Sequence, residues 1–70
     1  MRTEEQVLKD FEKLGYEVKE NSNSLLALSM NDFKINIRKY AKKYSVSDWD
    51  YIDMQEHKLI HELFTIWGWL

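Results

Sequence analysis

Seventy residues with a net charge of −2 and no cysteine make a single domain, 1–70, and exclude disulfides and thiolate metal sites. A chain this short buries only roughly 60% of the surface its unfolded form exposes, so three Trp, four Tyr and three Phe must supply much of its core. The slight acidity argues against a general polyanion binder, and no apolar run reaches the roughly 20 residues that cross a bilayer.

The opening Met1-Arg-Thr-Glu-Glu-Gln is charged and lacks a signal-peptide pattern, so a cytoplasmic protein is the expectation. Thr3 and Gln6 have capping-box spacing, and Glu4 and Glu5 suit the positive end of a helix dipole. Val7, Leu8, Phe11 and Leu14 form an apolar stripe that ends at Gly15, a natural left-handed stop. The pattern predicts a helix over 4–14.

After Gly15 the period changes to two. Tyr16 and Val18 predict a first strand, and Asn21-Ser-Asn-Ser24 a turn. Leu26, Leu28 and Met30 share one face of a second strand. Asn31-Asp32 then suits a two-residue hairpin loop, because both residues tolerate positive φ. Phe33, Ile35 and Ile37 alternate with Lys34, Asn36 and Arg38 in a third strand. In residues 39–52, Tyr40, Lys42, Tyr44 and Val46 fit either a fourth strand or an extended loop.

Asp53 with Glu56 marks the start of a last helix. A start at Ser47 with Asp50 would bring Trp49 and Ile52 onto the apolar stripe, but it would also set Glu56 within that stripe. The later start is therefore preferred. Leu59, Ile60, Leu63, Phe64, Ile66, Trp67 and Leu70 make the chain's most apolar segment, with Gly68 as its stop. The sum is a two-layer α+β fold: an N-terminal helix, a three- or four-stranded antiparallel sheet, and a C-terminal helix, with both helices on one face.

Four constellations bear on function. His57 and His61 stand four apart with Asp53 one turn earlier, a spacing that can offer ligands to one metal ion. Lys58 occupies the place of a metalloprotease's general base and no third His exists, so imidazoles bordering the apolar stripe are the better reading. Asp48, Asp50 and Asp53 lack the glycine and distal glutamate of a calcium loop and read as turn and cap residues. No nucleophile elbow or phosphate-binding glycine loop is present, so neither an enzyme nor a cofactor is expected.

The third constellation is charge. Lys34, Arg38, Lys39, Lys42 and Lys43 occur without an acid between residues 33 and 47, while both flanking segments are net acidic. Tyr40 and Tyr44 lie among them, and cations beside aromatics suit a nucleic-acid strand. A solvated sheet edge ranks first, docking on an acidic protein or a second copy of the chain second, and nucleic acid third.

The fourth is the tail. Trp67, Trp69 and Leu70 are candidate protein-interface anchors, since tryptophan buries much area for little rotamer entropy. Intramolecular packing is slightly favoured for Trp67; for Trp69 and Leu70 the two readings are even.

The helix, the alternating middle and above all Ile52–Trp69 (I-D-M-Q-E-H-K-L-I-H-E-L-F-x-x-W-G-W) resemble small proteins encoded by phages and prophages of Gram-positive bacteria. The resemblance implies an accessory protein that engages host machinery, and it carries over no functional residue. The expected function is non-catalytic protein binding, by self-association or on a host protein. The alternative is nucleic-acid binding through residues 34–43.

Overall fold

The computed structural model describes residues 2–47 and 52–69. The chain forms helix α1 (Glu4–Lys13), strands β1 (Glu17–Asn21), β2 (Leu25–Met30), β3 (Phe33–Arg38) and β4 (Lys43–Val46), and helix α2 (Met54–Ile66). The strands pair antiparallel in chain order, β1-β2-β3-β4. The architecture is the expected α+β fold, with the fourth strand present and shorter than the alternation suggested. Tyr40 and Lys42 fall in the turn before it.

Register follows burial. Leu26, Leu28, Ile35 and Ile37 point into the core with Phe33, and Val18, Met30, Tyr44 and Val46 pack beside them. Val7 and Phe11 from α1, and Leu59, Ile60 and Leu63 from α2, close the core from one side. The opposite face carries Glu17, Ala27, Ser29, Lys34, Asn36, Arg38, Lys43 and Ser45, by the period-two rule. β1 runs to Asn21, beyond the predicted turn boundary, through an irregularity between Val18 and Glu20. In the β2–β3 loop only Asn31 takes a positive φ (54°); Asp32 does not, although both residues tolerate it.

Both helices begin with a complete capping box. Thr3 Oγ1 accepts from the Gln6 N–H while Gln6 Oε1 accepts from the Thr3 N–H. Asp53 and Glu56 make the same exchange at α2, which fixes the later of the two predicted starts. Both helices also end alike. Gly15 (φ 106°) and Gly68 (φ 78°) each take the left-handed conformation. The Gly15 and Gly68 N–H groups bond the carbonyls of Glu12 and Thr65, and the next N–H groups, of Tyr16 and Trp69, reach back to Phe11 and Phe64. These are Schellman stops, which are accompanied by an apolar contact across the turn. Here that contact is aromatic: Phe11–Tyr16 at 5.5 Å and Phe64–Trp69 at 4.8 Å between ring centroids.

Candidate functional site

Because the helices run antiparallel over the sheet, the start of α1, the β1–β2 turn, the β3–β4 turn and the stop of α2 gather at one end. Lys39 links three of them. Its N–H bonds the Ser24 carbonyl at 2.9 Å, its Nζ donates to Asn21 Oδ1 at 2.9 Å, and the ammonium lies 5.1 Å from the Trp67 ring centroid. Trp67 Nε1–H donates to Glu4 Oε1 at 2.7 Å and so joins the end of α2 to the start of α1. Trp69 stands 5.1 Å from Trp67 and stacks on Phe64, whose other neighbours include Tyr44 at 5.6 Å and His61 at 6.0 Å. The cluster is half-buried, with His61 exposed.

The two tail tryptophans thus pack against the protein's own core, and both keep part of their surface in solvent. Leu70 lies outside the described residues, as do Asp48, Trp49 and Asp50. Sequence reasoning missed Phe64 as the stacking partner of Trp69. The signal was available: Phe11-x-x-x-Gly-Tyr16 and Phe64-x-x-x-Gly-Trp69 are the same six-residue stop written twice.

The five cations of 34–43 do not form one patch. Lys34 sits at the far end of β3, where its backbone pairs with Ser47. Lys39 is half-buried against Trp67 and Asn21, so it is a structural cation more than a free charge. Arg38 and Lys43 are directly opposite one another across β3 and β4, on the sheet face that no helix covers. Lys42 stands at the hairpin tip with φ 55°, a left-handed conformation. For a residue with a Cβ this costs roughly 1 kcal/mol more than for glycine. Tyr40, in the same turn, is 80% exposed.

The cations before residue 20 are neutralised within the molecule. Arg2 bridges Asp10 and Glu62, raising its own pKa and lowering that of Asp10 through the charge-assisted hydrogen bond. Lys9 pairs with Glu5, Lys13 with Asp10, and Lys19 with Glu17. Among the described residues no carboxylate pairs with Arg38, Lys42 or Lys43. Between the helices runs an open groove of about 430 Å³, floored by Leu14 and Leu59 and bordered by Arg2, Asp10, Lys58 and Glu62. Its mixed charges match no one ligand class.

The metal candidate does not assemble. Among the described residues no three His, Cys, Asp or Glu side chains converge as ligands. The Asp53 carboxylate accepts from the N–H groups of Gln55 and Glu56 instead, and those bonds, led by that from Glu56, hold its pKa below the usual value. His57 is half-buried and His61 is exposed beside Phe64.

Glu56 is the main surprise at the opposite end. It is 6% exposed, although a glutamate within the apolar stripe argued for keeping it out of the core. Its capping task resolves the conflict, since Oε2 accepts from the Asp53 N–H at 3.1 Å. Burial raises its pKa; the bond from the Asp53 N–H works against the rise, and the neighbouring Asp53 carboxylate adds to it. The Tyr16 phenol is pushed up to about 12, mainly by burial and then by the charges of Glu56 and Asp53. Among the described residues its hydroxyl has no hydrogen-bond partner.

Comparison with known proteins returns no matching family model, no matching curated protein and no matching solved structure. No described helix is long and apolar enough to cross a membrane.

Proposed function

We propose that the protein is a non-catalytic binding module that docks on another polypeptide, or on a second copy of itself, through the end where the β3–β4 turn meets Trp67 and Trp69. One observation carries this reading. Tyr40 projects at 80% exposure beside Arg38, Lys42 and Lys43, which no carboxylate among the described residues pairs with, next to a half-buried aromatic cluster. An exposed aromatic ringed by charge has the composition of an interface anchor with a polar rim. Its setting as an accessory protein of a phage or prophage rests on the resemblance carried by residues 52–69.

Site-specific photo-crosslinking tests the reading in the cell that makes the protein. A photoreactive residue at position 40 should yield one protein adduct, and that adduct should fade when Lys42 and Lys43 are both changed to Glu. The same residue at Met54, 69% exposed at the opposite end, should give none. Equal adducts from both positions would discard the proposal, as would adducts to nucleic acid alone.

A further inference from the structure

Three features of the β3–β4 turn work against its own stability, and together they describe what it meets. Lys42 occupies a left-handed position that glycine or asparagine would fill with less strain. Arg38 and Lys43 face one another directly across the strands, and like charges in that relation repel. Tyr40 leaves most of its ring in water while Tyr44, in the adjoining strand, packs on the core. Natural sequences depart from local rules at functional sites, where the cost is offset elsewhere. Three departures within six residues make this turn such a site.

Resting on the protein-binding reading above, we propose that the Tyr40–Lys43 tip, with Arg38, recognises an acidic surface of a different protein, with Tyr40 as its apolar anchor. A second copy fits poorly. A two-fold pairing through this end would set a patch rich in Arg38, Lys42 and Lys43 against the same patch, whereas a head-to-tail contact would build a ring or a fibre that sedimentation would reveal. A nucleic-acid strand fits poorly as well. Strand binding needs several aromatic faces to stack successive bases; among the described residues Tyr40 is the one highly exposed aromatic, while Trp67 lies against Lys39 and Trp69, and Trp69 against Phe64. Glu4 and Glu20 also border this end, which suits a protein surface of mixed charge better than a continuous phosphate backbone. What remains is an acidic polypeptide whose carboxylates neutralise Arg38, Lys42 and Lys43, which pair with no carboxylate among the described residues, and relieve the Arg38–Lys43 repulsion on binding.

The test titrates the intact chain with a random copolymer of glutamate and tyrosine, with polyglutamate and with oligothymidylate, and follows self-association by sedimentation. The copolymer should bind at least about tenfold more tightly than oligothymidylate at equal ionic strength, and Tyr40→Ala should weaken it about tenfold. Lys42→Glu with Lys43→Glu should abolish binding while circular dichroism stays unchanged. Lys42→Gly is the diagnostic variant: it should melt at a higher temperature and bind more weakly. Oligothymidylate binding as tightly as the copolymer would overturn both this inference and the protein-binding reading. A concentration-dependent dimer lost in Tyr40→Ala would overturn the inference and leave that reading standing. Failure of the copolymer to bind, or unchanged binding by Lys42→Gly, would overturn the inference.

Discussion

The two helix stops are written in nearly the same residues and have opposite settings. At the first, Phe11 and Tyr16 are 0% and 4% exposed, and the chain passes straight into β1. At the second, Phe64 and Trp69 are half-buried and stack at the rim of the sheet. The same left-handed glycine and aromatic clasp therefore serve as a core element in one place and as part of a surface in the other. A local motif fixes where a helix ends; what packs around it decides what the aromatic pair is for.

The largest test of that contrast is truncation of the phenylalanines. Phe11→Ala should cost about 3–5 kcal/mol, enough to unfold a domain this small, whereas Phe64→Ala should cost less than half as much. Urea unfolding followed by far-ultraviolet dichroism measures both, and equal losses would show that the second clasp is as much core as the first.

The glycines give a smaller difference. Alanine at either position meets the unfavourable positive φ, at roughly 1 kcal/mol. A Cβ at Gly15 would also lie 3.1 Å from Met30 Sδ, while at Gly68 nothing stands within 4 Å. Gly15→Ala should therefore lower the melting temperature more than Gly68→Ala does.

Tyr16→Phe acts the other way. It removes a buried hydroxyl that no described residue satisfies and keeps the ring contact with Phe11, so a gain of up to about 1 kcal/mol is expected. A loss would mean that the hydroxyl has a partner worth keeping.

The subtlest test is pH. The folded state holds the Glu56 pKa above its ordinary 4.5, so the protonated form is favoured by folding. Its contribution to stability is full below 4.5 and is lost as pH rises through the raised value. Asp53 runs oppositely: its lowered pKa contributes stability above its ordinary 3.8 that disappears as pH falls through the folded value. Glu56→Gln keeps an oxygen for the Asp53 N–H, as Gln6 does at α1, and removes only the first dependence. Its urea midpoint should exceed that of the parent at pH 7, with the gap closing below pH 4.5. A constant gap would exclude Glu56 ionisation as the cause.

Helix limits were legible because their signals are local: Thr3 with Gln6, Asp53 with Glu56, and a glycine at each stop. The alternation of β2 and β3 was legible for the same reason. The extension of β1 to Asn21 was not, because Glu20 and Asn21 are poor strand formers held by the ladder to β2. The fourth strand kept the parity of its alternation, with Tyr44 and Val46 inward, but began later, since Tyr40 and a left-handed Lys42 are spent on the turn. In the candidate site, the aromatics of the tail and the cations of 34–43 could each be picked out. Their meeting through Lys39 and Trp67 is tertiary and left no trace in spacing. Nor could the sequence say which cations lacked counter-ions, since Arg2 finds Glu62 sixty residues away.

The strand order has a kinetic consequence. Every strand pairs with its neighbour in the chain, so the sheet can zip from one hairpin to the next with little loop entropy lost, and such topologies fold quickly. The helix pair is the exception: Arg2 with Glu62 and Glu4 with Trp67 close separations of 60 and 63 residues. That seam should zip last and fray first, so amide exchange should run faster in α1 than in the central strands.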